Sequence, residues 1–216
     1  MKTKIYIFSG LGVDERVFQK LDFSAYDCTF VKWIQPLTGE SIQSYAARIS
    51  VQIKDPGAIY IGLSFGGIMA AEVVKCVAPS KLILLASVKT KYEIPLRYRL
   101  AGLFFLHRLI PAKWLLKANR ITYWFFGAQT TEEKIMLREI LKDTDPVFLK
   151  WAMGEILSWK NKNVSKNTVH LHGSDDHILP YRKVNADFCI HNGGHLMTLS
   201  HASEIQLLLD GLIAGN

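Results

Sequence analysis

Four short runs of consecutive apolar residues constrain the fold of this chain more than any other feature. They lie at 4–8 (KIYIF), 58–64 (AIYIGLS), 81–87 (KLILLAS) and 168–174 (TVHLHGS). Runs that are apolar on both faces are typical of central strands in a parallel sheet, which helices cover on both sides. Helical patterns separate these runs. The sequence therefore predicts an α/β fold with a mostly parallel central sheet flanked by helices.

Weaker patterns predict further elements around these strands. Apolar runs at 28–34 and 187–194 indicate two more strands. From Ser41 onward, apolar residues recur at helical spacing up to residue 53, so we expect a helix that Ser41 caps. Ser203 and Gln206 form a capping-box pattern, which predicts that the last helix starts there.

The segment at about 89–166 departs from the alternation of strands and helices. It is helical in pattern and rich in aromatic residues, and it is too long for a simple crossover between two strands. We interpret it as a helical cap inserted after the strand that ends near Ser87. The 216 residues suit one domain, 1–216, with its core formed by 1–88 and 167–216.

Composition excludes several classes of protein. Hydrophobic residues make up 49% and charged residues 21% of the chain, which is ordinary for a globular domain. The apolar run after Lys4 is too short for a signal peptide or a membrane span, so we expect a cytoplasmic protein. The three cysteines are far apart, and we expect buried, reduced thiols rather than disulfides or a zinc site.

Positive charge is concentrated in the segment interpreted as a cap. Residues 88–166 carry 15 of the 26 Lys and Arg residues but only 7 of the 19 Asp and Glu residues. Such a surface attracts an anionic substrate, an acidic carrier protein or a membrane surface, or is simply a solvated helical face. We expect no nucleic-acid partner.

The motif Gly62-Leu63-Ser64-Phe65-Gly66 lies between an apolar strand and a helix of small residues. A tight turn there strains the backbone of Ser64, and side chains at the two glycine positions would collide with the turn. We therefore interpret Ser64 as a nucleophile presented at the end of the strand. The alternative is the glycine-rich turn of a nucleotide-binding fold, but neither G-x-G-x-x-G nor a P-loop lysine is present.

A serine nucleophile needs a base, and the base needs a carboxylate to orient it. His195 follows the last predicted strand in the loop N-G-G-H, and His191 is the alternative base on position. His170 and His172 alternate along a predicted strand and are expected in or near the core.

The order of strand, GLSFGG, strand, helical insertion, HGSDDHILP, strand and NGGH resembles the α/β-hydrolase family over nearly the whole chain. The resemblance implies His195 as the base, because the family keeps the chain order nucleophile, acid, histidine. The segment from Gly173 to Pro180 matches the family pattern G-x-x-D-x-x-x-P. This register implies Asp176 as the acid, with Asp175 as the alternative.

An oxyanion hole is expected from backbone N–H groups. One donor is Phe65, directly after the nucleophile. The resemblance to the family's His-Gly-x segment implies Leu11 as the second donor, in the loop Ser9-Gly10-Leu11-Gly12. Ser9 stands where the family usually has His, and a plain glycine turn is the alternative.

These residues predict a serine hydrolase that cleaves a carboxylic ester through an acyl-enzyme, without a cofactor or a metal ion. The alternatives are an acyl-thioesterase, a cofactor-free lyase on the same fold and a non-catalytic binding module. Apolar residues of the insertion predict a small-molecule ester or thioester with an apolar portion. They are Leu103, Phe104, Phe105, Leu106, Leu109, Trp114, Tyr123, Trp124, Phe125, Phe126 and Trp151. The basic residues considered for an anionic portion or a carrier are Arg97, Arg99, Arg108 and Arg120.

Overall fold

A parallel sheet of six strands forms the centre of the molecule. The computed structural model describes residues 2–11, 13–104 and 111–215. The strands are β1 (Lys4–Phe8), β2 (Asp27–Phe30), β3 (Ile59–Leu63), β4 (Lys81–Leu85), β5 (Thr168–Gly173) and β6 (Phe188–Ile190). Their order across the sheet is β2-β1-β3-β4-β5-β6, and every pair of neighbours is parallel. The predicted fold class is confirmed.

Helices connect the strands and cover both faces of the sheet. The α-helices within the described residues are α1 (Ile42–Ser50), α2 (Phe65–Val73), α3 (Leu96–Leu103), α4 (Ala112–Leu115), α5 (Arg120–Phe126), α6 (Thr131–Asp143), α7 (Pro146–Ser158), α8 (Met197–Ser200) and α9 (Ala202–Ala214). In the described ranges, single turns of 3₁₀ helix lie at Glu15–Phe18 and Tyr181–Lys183. None of the described helices is long and apolar enough to cross a membrane.

The core consists of two apolar layers, one on each face of the sheet. Ile5 and Ile7 of β1 contribute to one layer, whereas Tyr6 and Phe8 contribute to the other. Successive side chains of a strand point to opposite faces, so a strand covered on both sides must be apolar throughout. This explains why all five residues of β3 are buried and why the strand reads as a continuous apolar run.

The strand order places a crevice at the carboxyl ends of β1 and β3. The chain pairs β1 with β2 on one side and with β3 on the other. The connections that leave β1 and β3 therefore diverge, and such a switch point is where ligands bind in open α/β sheets. Leu11 follows β1 and Ser64 follows β3, so the fold brings both residues to this crevice.

Helices α3 to α7 occupy the part of the chain between β4 and β5, as expected for the inserted segment. Helix α3 packs closely against α7, because a Cβ atom at Gly102 would lie 2.6 Å from the Cβ atom of Leu157. The domain boundaries at about 88 and 167 stay a prediction. Phe105, Leu106, Leu109 and Arg108 lie outside the described residues.

The predicted extent of the second strand is wrong, because β2 ends at Phe30 rather than near residue 34. Val31 still donates its N–H to the carbonyl of Ile7 at 2.9 Å. The backbone N–H and C=O of Lys32, however, bond to the side-chain amide of Gln52, both at 2.9 Å. This contact directs the chain away from the sheet. Helix α1 likewise ends at Ser50, before residue 53, although Ser41 caps its start as predicted.

The capping box predicted at Ser203 and Gln206 is wrong. Helix α9 begins at Ala202 and is preceded by His201, so Ser203 lies inside its first turn. The side-chain amide of Gln206 instead bonds to the backbone of Asp22, accepting at 2.8 Å and donating at 3.0 Å. A long-range contact therefore replaces the local one.

The cysteines are free, as predicted, but they are not buried in the core. Cys28 is half-buried, and Cys76 and Cys189 are exposed. Cys76 follows the end of α2, and Cys189 lies on β6, at the edge of the sheet, where one side of the strand meets solvent. The prediction of buried thiols is therefore wrong.

Candidate active site

The turn at Ser64 has the strained backbone that its two glycines predict. Ser64 adopts φ 53° and ψ −120°, a conformation that L-residues rarely occupy. A Cβ atom at Gly66 would lie 2.1 Å from the carbonyl oxygen of Phe8, and one at Gly62 would lie 2.5 Å from the Cα atom of Gly67. Only glycine fits at either position. The turn places Ser64 directly before the first residue of α2.

Ser87 fixes this turn from the neighbouring strand connection, a role that the sequence did not reveal. Its fully buried hydroxyl donates a hydrogen bond to the carbonyl oxygen of Ser64 at 2.6 Å. Gly67 permits this contact, since a Cβ atom there would lie 2.3 Å from the Oγ atom of Ser87. A serine at a strand end is common, so no signal in one sequence singles it out.

Ser64, His195 and Asp176 form one continuous chain of hydrogen bonds. The Oγ atom of Ser64 lies 2.7 Å from the Nε2 atom of His195. The Nδ1 atom of His195 lies 2.7 Å from the Oδ2 atom of Asp176. An ionised Asp176 can accept hydrogen bonds but cannot donate them. His195 therefore carries its proton on Nδ1 and presents the Nε2 lone pair to the serine hydroxyl. The arrangement can take a proton from Ser64 and stabilise the resulting imidazolium.

The two rival residues from the sequence lie away from this chain. His191 is exposed. Asp175 is also exposed, and its carboxylate accepts a hydrogen bond from the neighbouring hydroxyl of Ser174 at 3.0 Å. The structure therefore brings His195 and Asp176 to Ser64 and leaves the alternatives at the surface.

The loop after β5 holds Asp176 as an anion. Its Oδ1 atom accepts hydrogen bonds from the backbone N–H groups of Ile178 and Leu179, both at 2.8 Å. Burial favours the neutral acid and raises its pKa. The interaction with His195, the ring of His172 and the Leu179 N–H more than offset this, so the pKa of Asp176 lies below its usual value.

Two buried histidines stand behind Asp176. The Nε2 atom of His172 lies 2.7 Å from the carbonyl oxygen of Leu179 and 3.4 Å from the Oδ2 atom of Asp176. A carbonyl only accepts, so His172 must donate from Nε2. Its Nδ1 atom then accepts from the Nε2–H group of His170 at 3.0 Å.

This geometry fixes the tautomers of both rings and leaves the Nδ1 atom of His170 unprotonated. The Nδ1 atom of His170 is buried and has no hydrogen-bond partner within the described part of the chain. Burial, together with the charges of His172 and Lys89, lowers the pKa of His170 to about 2. Burial also lowers the pKa of His172. The sequence placed both residues in the core correctly but gave no signal of their contact with the acid.

The glycines before His195 allow close packing rather than loop freedom. A Cβ atom at Gly173 would lie 2.1 Å from the carbonyl oxygen of Gly193, and one at Gly194 would lie 2.9 Å from the Cα atom of Gly127. Leu196 donates its N–H to the carbonyl of Phe126 at 3.1 Å. The end of α5 is thus bonded to the loop that carries His195.

An apolar cavity of about 230 Å³ opens onto Ser64 and His195. Among the described residues, its lining contains no Asp, Glu, Lys or Arg side chain. The inserted helices supply most of it through Tyr98, Phe126, Met153, Ile156 and Leu157, and the sheet connections add Leu11 and Ile178. The ring of Phe126 stands edge-on to His195, with 5.9 Å between the ring centroids. The inserted segment therefore contributes directly to the site.

Most of the other apolar residues that the sequence predicted to form the substrate pocket do not line this cavity. Leu103, Phe104, Trp114 and Trp124 are more than half exposed. Tyr123 and Phe125 are half-buried but do not line the cavity, and neither does Trp151, whose indole N–H bonds to the carbonyl of Glu40 at 2.7 Å.

The loop after β1 lies against Ser64. A Cβ atom at Gly10 would lie 3.4 Å from the Cβ atom of Ser64. Ser9 accepts a hydrogen bond from the indole N–H of Trp33 at 3.0 Å. Leu11 follows at the cavity wall, and Gly12 lies outside the described residues. In the described ranges, no group of three or more His, Cys, Asp or Glu side chains could hold a metal ion.

Comparison with solved structures identifies the class of fold. The chain is similar to a bromoperoxidase from Bacillus anthracis, with a TM-score of 0.69, 14% identity, and coverage of 99% of this chain and 92% of that one. It is similar to an esterase from Exiguobacterium antarcticum, with a TM-score of 0.66, 15% identity, and coverage of 99% and 93%. It is also similar to an enzyme that degrades N-acyl homoserine lactones, with a TM-score of 0.68, 16% identity, and coverage of 98% of this chain and 93% of that one.

This likeness shows that the chain has the α/β-hydrolase fold, as the sequence predicted. No family model matches the sequence, and no curated protein matches it. The similar structures carry different activities in their names, and one fold supports many reactions. The reaction must therefore be argued from the site itself.

Proposed function

We propose that this protein is a serine hydrolase that cleaves a carboxylic ester through an acyl-enzyme. Ser64 Oγ attacks the ester carbonyl while His195 Nε2 takes its proton, and Asp176 stabilises the imidazolium. His195 then protonates the departing alkoxide. In the second half, water attacks the acyl group while His195 takes its proton. His195 then returns that proton to Ser64 Oγ as the acyl–oxygen bond breaks and the acid is released.

The observation that carries this proposal is the hydrogen-bonded chain from Ser64 to Asp176 at the mouth of an apolar cavity. A purely structural serine needs neither a strained backbone nor a base at 2.7 Å. Backbone strain at Ser64 is maintained by the glycines and by Ser87, and strain of this kind concentrates at functional sites. The similarity to a structure named as an esterase supports the same reaction class.

Two backbone N–H groups would stabilise the oxyanion. Phe65 is the first residue of α2, so its N–H has no partner within the helix and lies at the positive end of the helix dipole. Leu11 lines the cavity together with Ser64. Donors preorganised in this way act where the negative charge develops and are worth about 3–4 kcal/mol each.

The cavity supports a small apolar acyl group as the bound portion. Its volume of about 230 Å³ lies below the roughly 300–1,000 Å³ that is usual for ligand sites. We expect hydrolysis of p-nitrophenyl acetate, butyrate and octanoate, and a steep fall in kcat/KM for dodecanoate. Replacing Leu157 by Trp fills the cavity and should lower kcat/KM for octanoate more than for acetate.

The test of the nucleophile is labelling with a fluorophosphonate, followed by mass spectrometry to locate the adduct. We expect label on Ser64, abolished in both Ser64→Ala and His195→Ala and retained in Ser203→Ala, whose hydroxyl is on the exposed side of α9. Absence of label on the folded protein contradicts the proposal. Turnover of esters by Ser64→Ala at the wild-type rate contradicts it as well.

An acyl-thioesterase is the second candidate, since the same groups cleave a thioester with a better leaving group. A cluster of unpaired cations beside the cavity favours it, as described below. Ratios of kcat/KM for an oxygen ester and a thioester of the same acyl group separate the two activities.

A further inference from the structure

A second cavity lies on the surface beside the active-site cavity. Its volume is about 630 Å³, and Arg97, Trp124, His177 and Arg182 are among the residues that line it. A third cavity, of about 230 Å³, shares Arg97 and Arg182 with it and adds Lys183. The two form one continuous surface, which we call the basic groove.

The basic groove and the active-site cavity are separated by a single layer of side chains. Three segments contribute to this layer: α3, α5 and the loop after β5. In each segment, one residue lines the active-site cavity and a close neighbour in sequence lines the groove. The pairs are Tyr98 with Arg97, Phe126 with Trp124, and Ile178 with His177. The groove and the active-site cavity are therefore neighbouring surfaces formed by the same three segments.

Contacts within this layer hold the groove in shape. The ring of His177 stacks on Trp124 with 4.0 Å between centroids, and its Nδ1–H group donates to the Trp124 carbonyl at 2.9 Å. The guanidinium of Arg97 lies 5.0 Å from the ring centroid of Tyr98, and its Nη2 atom donates to the Tyr98 hydroxyl at 3.4 Å. A cation thus stands directly behind a residue that lines the active-site cavity.

The cations of the groove lack acidic partners. Arg97, Arg182 and Lys183 are exposed, and none of them forms an ion pair within 4.0 Å with a described Asp or Glu. Two carboxylates also line the groove. Asp176 is bound to His195, and Asp175 is the other. Three cations against two carboxylates still leave the groove net positive, which favours an anionic group there.

We propose that the basic groove binds an anionic group, a phosphate or a carboxylate, on the alcohol or thiol portion of the substrate. This inference rests on the proposed hydrolase function. The acyl group stays on Ser64 after the first step, whereas the alcohol or thiol must depart. The apolar cavity at Ser64 suits the acyl group, and the basic groove beside it suits an anionic departing portion. Arg97 and Arg182 provide the planar guanidinium donors that phosphate and carboxylate groups accept in pairs.

The kinetic test compares butyryl thioesters that differ only in the thiol. N-acetylcysteamine is neutral, coenzyme A carries phosphates, and mercaptoacetate carries a carboxylate. We expect kcat/KM to be about tenfold higher for the preferred anionic thioester than for the neutral one, with the difference shrinking as salt is added. Preference for coenzyme A identifies a phosphate, and preference for mercaptoacetate identifies a carboxylate. Equal values for all three overturn the proposal.

Variants show whether the groove is responsible. Arg97→Gln with Arg182→Gln should abolish the preference, because kcat/KM for the anionic thioester falls about tenfold more than kcat/KM for the neutral one. The control is Lys54→Gln, which removes an exposed cation just before β3, at the opposite end of the sheet from the site. An equal loss for neutral and anionic thioesters in the double variant contradicts an anion site.

A binding measurement separates failure of this inference from failure of the proposed reaction. Calorimetry with butyryl-coenzyme A and mercaptoacetate butyryl thioester uses the Ser64→Ala protein, so it requires no turnover. We expect binding of one of them to weaken about tenfold when Arg97→Gln and Arg182→Gln are added. Unchanged binding overturns the groove proposal even if Ser64 labels normally. Weakened binding supports the groove even if no ester is hydrolysed.

Discussion

The titration of His170 should contribute strongly to the pH dependence of folding stability. The imidazole is completely buried, and its pKa is lowered to about 2 by burial and then by the charges of His172 and Lys89. In the unfolded chain the same group titrates near its usual value of about 6.5. Between about pH 2 and about pH 6.5, the unfolded state therefore binds a proton at His170 that the folded state does not bind.

The sign and size of the effect follow from linkage. Because the folded pKa lies below the unfolded pKa, the stabilisation is fully present above about pH 6.5 and is lost as the pH falls toward about 2. Each pH unit below about 6.5 lowers the free energy of unfolding by up to about 1.4 kcal/mol. At about pH 4.5 the loss from His170 alone reaches about 2.7 kcal/mol, a large part of a typical 5–15 kcal/mol.

The substitution His170→Gln isolates this titration, because the amide does not ionise and can still donate a hydrogen bond to His172. Urea unfolding between about pH 8 and about pH 4.5 gives the free energy of unfolding at each pH. Between these two pH values, the free energy of unfolding should fall by about 2.7 kcal/mol less in the variant than in wild type. His191→Gln, at an exposed position, should follow wild type. Parallel curves for His170→Gln and wild type refute the reasoning.

Three further predictions concern the groups that hold the site. Ser87→Ala removes one of three hydrogen bonds to the Ser64 carbonyl, which keeps the N–H donors of Gly67 and Ile68. It should lower the free energy of unfolding by about 0.5–1.5 kcal/mol, measured in urea, together with kcat. Gly66→Ala should lower the free energy of unfolding by about 1–3 kcal/mol or more in the same assay, because its Cβ atom would clash with the backbone of Phe8. Its control, Gly211→Ala on α9, has open space around the added Cβ atom and should raise the free energy of unfolding by about 0.5–1 kcal/mol. His172→Leu should lower kcat with KM unchanged, and His172→Gln should recover part of kcat by donating to the loop after β5; equal kcat values for the two variants argue against a positioning role.

Local patterns predicted those features that depend on neighbours in sequence. The buried strands β1, β3, β4 and β5 were recognisable because coverage on both faces makes every residue apolar. The turn at Ser64 was recognisable because Gly62 and Gly66 are required by sterics within one strand-turn-helix unit. Where a distant residue competed, local reasoning failed: Gln52 ends β2 early, and Asp22 takes the side chain of Gln206 away from the expected capping box.

The candidate site divides in the same way. Asp176 and Asp175 are adjacent in sequence, and the register of the motif favoured Asp176 only through a resemblance. Their difference in burial and their distance from His195 emerge once β5 and β6 are paired. His170 and His172 were expected in the core from their alternation, but their hydrogen bonds behind Asp176 depend on the path of the loop after β5.

The sequence by itself determined the class of fold, the strained turn at Ser64 and the set of residues from which the candidate site is built, because apolar periodicity and glycine sterics act over a few residues. Tertiary structure alone decided which carboxylate meets His195, that Ser87 fixes the turn, and that cations beside the cavity stay unpaired. Each of these depends on distances between segments far apart in the chain. Such distances are set by the packing of the sheet and the inserted helices, which no local pattern specifies.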